Sequence, residues 1–145
     1  MNRREAIKIA GLTAMAAAVS AEANIIETTK EQKNRKEMSP KNPAKLEKGE
    51  LKHTPQITLK GKDAKGYEMV EILVGQGGII HPSTTSHWID FIELYADGKL
   101  VGKSTLEAEI SRGAAMFALK LDNVKELKAK SGCNLHGIWT STLKV

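Results

Sequence analysis

The run WIDFIELYADGKLVGK, residues 88–103, decides the fold class. Trp88 to Ala96 is a short, mainly apolar run, interrupted only by Asp90 and Glu93, and reads as a strand. Asp97-Gly98 then supplies the pair that a tight hairpin turn demands, and KLVGK resumes as the returning strand. Working outward, the same punctuation recurs. QITLK (56–60) leads to a turn at Gly61 to Gly66, and EMVEILVG (68–75) leads to Gly77-Gly78. TLEAEI (105–110), AAMFALKL (114–121), VKELKAK (124–130) and GIWTSTLKV (137–145) complete eight candidate strands. VKELKAK has helical propensity as well, and its alternation assigns it to a strand. Short strands with turns about every ten residues predict an all-β sandwich or barrel.

A chain of 145 residues with 41% apolar content accommodates one packed domain with an extra segment. Aromatic residues are 4% of the chain, too few for a platform that stacks nucleic-acid bases. The net charge is +5, but the lysines are spread among acids and form no basic helix face. A nucleic-acid partner is therefore not expected. Excess positive charge still favours capture of a small anion.

The N-terminus reads as an address. Arg3 and Arg4 precede an apolar run from Ile9 to Val19, and Ala21-Glu22-Ala23 has the small-x-small pattern of a cleavage site. Residues 1–23 are thus expected to be an export signal of twin-arginine type, with Ala6 where such signals usually carry phenylalanine. The apolar run is too short to span a bilayer, so a tether to the membrane would require an uncleaved signal. A periplasmic location follows. Residues 24–49 are rich in Lys, Glu, Asn and Pro, without a repeating apolar face, and read as a disordered linker before a folded domain at 50–145.

One cysteine cannot form an internal disulfide. Cys133 is a buried thiol, a reactive thiol, an intermolecular bridge or a metal ligand. The four histidines bear on the choice. His53 lies in ELKHTP, His81 and His87 in IIHPSTTSHWI, and His136 in SGCNLHGIW beside Cys133. Every His and Cys of the chain falls in these three segments, all expected to be loops. Imidazole and thiolate suit iron, copper and zinc. A structural zinc site uses four ligands, commonly with more sulfur. A blue-copper site needs two histidines, a cysteine and an axial methionine, and no methionine follows His136. Five strong donors fit iron with one coordination position open, while a copper or iron electron carrier remains the alternative.

KHTP, HPSTTSHWI and CNLHGIW resemble, in order and separation, the iron-binding segments of the superoxide reductases, the neelaredoxin and desulfoferrodoxin family. The resemblance spans about residues 50 to 145. It implies a seven-stranded immunoglobulin-like sandwich and one mononuclear non-haem iron per chain, with His53, His81, His87 and His136 equatorial and Cys133 axial. The implied activity is the one-electron reduction of superoxide to hydrogen peroxide, with Lys52 beside the open face. Family members place a glutamate directly before that lysine as a resting sixth ligand. Here Leu51 holds that place and Glu50 stands one residue further out, so Glu50 either reaches the metal or the cap is lost. The rubredoxin-like domain of desulfoferrodoxins would require further cysteines, so the likeness is to the single-iron, neelaredoxin-type members. A separate electron donor, often rubredoxin in relatives, and assembly as a homodimer or homotetramer are also implied. Trp88 and Trp139 flank expected ligands, as shields of the site or as core.

Overall fold

A computed structural model describes residues 34–145; the expected export signal and the start of the expected linker lie outside them. Strand β1 (Glu37–Met38) is followed by a short helix α1 (Lys48–His53) and strands β2 (Pro55–Lys62) and β3 (Glu68–Val74). Then come β4 (Ile89–Ala96), β5 (Lys99–Thr105), β6 (Ala114–Leu119), β7 (Glu126–Cys133) and β8 (Gly137–Lys144). They form two sheets, ordered β1-β8-β7-β4-β5 and β2-β3-β6. All pairings are antiparallel except β1 with β8.

The alternation in the sequence becomes the core. Val70, Ile72 and Val74 of β3 face Ile92 and Leu94 of β4 and Leu127 and Ala129 of β7, all fully buried. The β7 run that also suited a helix shows why it is a strand. Its even-spaced Leu127, Ala129, Ser131 and Cys133 are buried, while Lys128 and Lys130 between them are only partly covered. Cys133 therefore enters its loop from the core side. In β4 the register slips between Ile89 and Phe91, which buries Ile89 and Asp90 together. The hairpin after β4 turns at Asp97 (φ 44°) and Gly98 (φ 83°), both positive as that turn requires. The Asp97 carboxylate accepts the N–H groups of Lys125 and Glu126 and so anchors the start of β7.

Two segments depart from expectation. TLEAEI is not a strand of its own: β5 stops at Thr105, the chain turns, and Ile110 is exposed. Its alternation has no partner edge, because the Leu106 N–H already bonds the Asp90 carbonyl. Residues 34–49, inside the span expected as linker, lie on the sandwich. Glu37 and Met38 pair in parallel with Ile138 and Trp139, Lys130 binds Glu37 at 2.8 Å, and the Arg35 guanidinium grips Asp90. Backbone pairing and ion pairs hold this strap, so no apolar period announces it.

Candidate metal centre

Helix α1 delivers the first donor. Glu47 and Glu50 form a capping box that starts the helix, and His53 closes it. The His53 Nδ1–H donates to the Gly49 carbonyl at 2.7 Å, one helical turn back, which leaves Nε2 to face inward. His81 is oriented in the same way, with Nδ1–H donating to the Pro82 carbonyl at 2.8 Å. Its Nε2 is buried and has no hydrogen-bond partner. The loop that aims it depends on Gly75 (φ 95°), where a Cβ would lie 2.3 Å from the Ile79 carbonyl oxygen.

His87 and His136 complete a ring of imidazoles. Centroids of neighbouring rings, taken in the order His53, His81, His87, His136 and back to His53, stand 4.6–4.9 Å apart, and the His53–His87 diagonal is 6.1 Å. His136 Nδ1 lies 3.1 Å from both His53 Nε2 and His87 Nε2, and 3.4 Å from Cys133 Sγ. Donor atoms of His53, His81, His87 and Cys133 all fall within 4.8 Å of one another. All five expected ligands are brought together. Two of them leave the loops assigned to them, since His53 ends a helix and Cys133 ends a strand.

So many lone pairs aimed at one point, one of them on a buried nitrogen without a donor, are a poor arrangement for a bare protein. They fit a cation. Both Nδ1–H···O=C bonds fix the tautomer in the way that metal-ligating histidines are commonly oriented. Burial pushes His53 down to about 4 and His81 to about 3, and lowers His87, so the rings are held neutral as ligands must be. Burial raises the Cys133 thiol, opposed by the N–H groups of Leu135 and His136 that face its sulfur. Exposure is graded: Cys133 and His81 are buried, His87 is partly covered and His136 is exposed. The sulfur side is closed and the His87–His136 edge is open.

Lys52 is half-buried and precedes His53. Its positive charge adds a small downward push, after burial, to the pKa values of His53, His81 and His87. The sequence left Glu50 between reaching the metal and losing the cap, and its carboxylate is engaged away from the donors. Its Oε1 accepts the Lys41 N–H and its Oε2 the Glu47 N–H, each at 2.8 Å, and these donors hold its carboxyl below the usual range. It does not join the cluster of donors; it ties the strap to α1.

Of the residues that support the donors, Asn134 and Ser131 escaped the sequence, whereas Trp88 and Trp139 were marked by it. The Asn134 side chain accepts the Trp88 N–H at 2.9 Å and donates to the Ser86 carbonyl, joining the two ligand loops. Ser131 Oγ donates to the His53 carbonyl, and Trp139 stacks on His53 while its indole N–H donates to the His136 carbonyl. Trp139 thus braces two ligands, and Trp88 is a buried core residue.

Comparison with known proteins agrees with this geometry. The desulfoferrodoxin family profile matches residues 45–142. A desulfoferrodoxin of Nitratidesulfovibrio vulgaris is 39% identical over 88 residues, 61% of this chain and 60% of that protein's length. A superoxide reductase of Pyrococcus abyssi is 34% identical over 108 residues, covering 68% of this chain and 90% of the relative. Among solved structures, the superoxide reductase of Giardia intestinalis superposes with a TM-score of 0.57 at 29% identity, over 65% of this chain and 98% of that one.

Proposed function

Since the chain belongs to the desulfoferrodoxin family, we propose that it is a superoxide reductase, converting superoxide to hydrogen peroxide by one-electron reduction at a mononuclear iron. The observation that carries this reading is the convergence of four ring nitrogens and one sulfur from three distant segments, with His81 Nε2 buried and unpartnered. His53, His81, His87, His136 and Cys133 would hold the metal, the sulfur reaching it from the core side. Iron bound there supplies the electron and a Lewis-acid site for an anionic oxygen species.

The remaining work belongs to the chain. Lys52 and the net positive charge draw the superoxide anion to the open edge. The Lys52 ammonium is also a source of hydrogen bonds and protons there, which formation of hydrogen peroxide consumes. Cys133, deprotonated when it takes a metal, offers its sulfur from a dry, packed face and stays protected from solvent oxidants. His81 and His53 are locked by their carbonyl partners, so the donor set needs little rearrangement.

The two-sheet arrangement supports an immunoglobulin-like sandwich. Arg3-Arg4, the apolar run and Ala21-Glu22-Ala23 support export to the periplasm through a twin-arginine signal at 1–23, ahead of a linker that starts at residue 24. An external electron donor, rubredoxin-like in relatives, must return the electron, and a homodimer or homotetramer is the assembly proposed.

The test is direct. The full chain, reconstituted with ferrous iron and then oxidised, is expected to hold one iron per chain and to show a visible thiolate-to-iron charge-transfer band. It should consume superoxide with formation of hydrogen peroxide. Cys133→Ser is expected to abolish both band and activity. Stoichiometric copper or zinc in the native protein, or an iron-loaded chain inert to superoxide, would sink the proposal.

A further inference from the structure

The loop that carries Cys133 and His136 is gripped from outside by a residue of the strap. The N–H groups of Leu135 and His136 face the Cys133 sulfur. The carbonyls of the same two peptide groups point the other way. That of Asn134 accepts the backbone N–H of Asn34 at 3.0 Å. That of Leu135 accepts the side-chain Nδ2–H of Asn34 at 3.2 Å. One residue thus holds, on their outer side, both peptide groups that serve the sulfur on their inner side.

Asn34 is itself fixed. Its Oδ1 accepts the Lys36 N–H at 3.0 Å, and the Lys36 carbonyl accepts the Ile138 N–H at 2.8 Å. Next to it, Arg35 Nη1 donates to Asp90 Oδ1 at 3.1 Å. Residues 34–36 fall outside the span that the family profile matches, 45–142.

We propose that Asn34 is a positioning residue for the metal centre, setting the donor strength of the Cys133 sulfur through the two peptide groups it holds. A carbonyl that accepts a hydrogen bond polarises its peptide and strengthens the N–H on the far side. N–H groups donated to a ligating sulfur withdraw charge from it and so tune the metal, as hydrogen bonds to cysteine sulfur do in copper and iron–sulfur sites. Loss of the Asn34 grip weakens both donors and leaves the thiolate more electron-rich.

This inference rests on the iron reading above, and the experiment separates the two. In the full chain loaded with iron and oxidised, Asn34→Ala removes the Nδ2–H donor and the Oδ1 anchor. Asn34→Asp, the second variant should the first not fold, keeps the Oδ1 acceptor and loses the donor. Both are expected to move the charge-transfer band to longer wavelength and the midpoint potential downward. Glu37→Ala cuts the strap's 2.8 Å ion pair with Lys130 without touching the loop, and is expected to leave band and potential in place. A band that stays put in the Asn34 variants, or that moves as far in Glu37→Ala, overturns the role of Asn34 alone. A wild-type chain without any such band overturns the iron reading and this inference with it.

Discussion

His81 is the residue with the most to gain from a metal. Its Nδ1 is spent on the Pro82 carbonyl and its Nε2 faces the other donors without a proton to share. A buried polar atom left unpaired costs about 1–3 kcal/mol, which coordination would offset. His81→Ala is therefore expected to lower iron occupancy of the purified chain, read by metal analysis, even though it removes an orphan from the apo-protein. Lys52 acts differently, through its field on the cluster. Lys52→Ala should slow the second-order reaction with superoxide and leave the charge-transfer band nearly unchanged; equal rates would refute the steering role. At this scale the five donors were legible because His and Cys are rare in the chain and confined to three segments. Asn34, Ser131 and Asn134 were not, because amides and hydroxyls occur everywhere and only a folded chain shows which carbonyl they meet.

Among the elements, helix α1 and the loop after β3 aim the ligands. Glu50→Ala would remove the acceptor shared by Lys41 and Glu47. It is expected to lower Tm while the ferric charge-transfer band persists, since the carboxylate serves the helix; a changed resting spectrum with Tm unmoved would instead return Glu50 to the metal. Gly75→Ala forces a side chain into a left-handed backbone (φ 95°) and against the Ile79 carbonyl and the His81 N–H. Strain of this kind costs of order 1–3 kcal/mol. Lower stability and weaker iron retention should appear together in calorimetry and metal analysis. Strands β3, β4 and β5 were legible because short apolar runs and an Asp-Gly turn are local signals. TLEAEI carried the alternation without a neighbouring edge to pair with. The strap carried no alternation, yet β8 offered it an edge.

For the molecule as a whole, charge and protonation set the working range. The net charge of +5 implies that the rate with superoxide falls as ionic strength rises, because salt screens the attraction. Stopped-flow measurements over a salt series check this. The metal-free chain should also lose stability in acid. His53 and His81 have folded-state pKa values of about 4 and about 3 against an ordinary 6.5, so the unfolded chain binds protons that the folded chain refuses. Stability then declines as pH falls below 6.5, the penalty from His53 growing down to about pH 4 and that from His81 down to about pH 3. Denaturation of the apo-protein at pH 7 and pH 5 is expected to give the lower midpoint at pH 5.

The bond from Asn34 to Leu135 joins positions 101 residues apart. During synthesis on the ribosome, the upstream partner emerges early and must wait, unsatisfied, for nearly all of the domain to follow. Contacts of such long sequence separation form late. Enclosure of the cysteine-bearing corner is thus a closing event of biogenesis, and a nascent chain halted before Leu135 should leave the segment around Asn34 open to proteases.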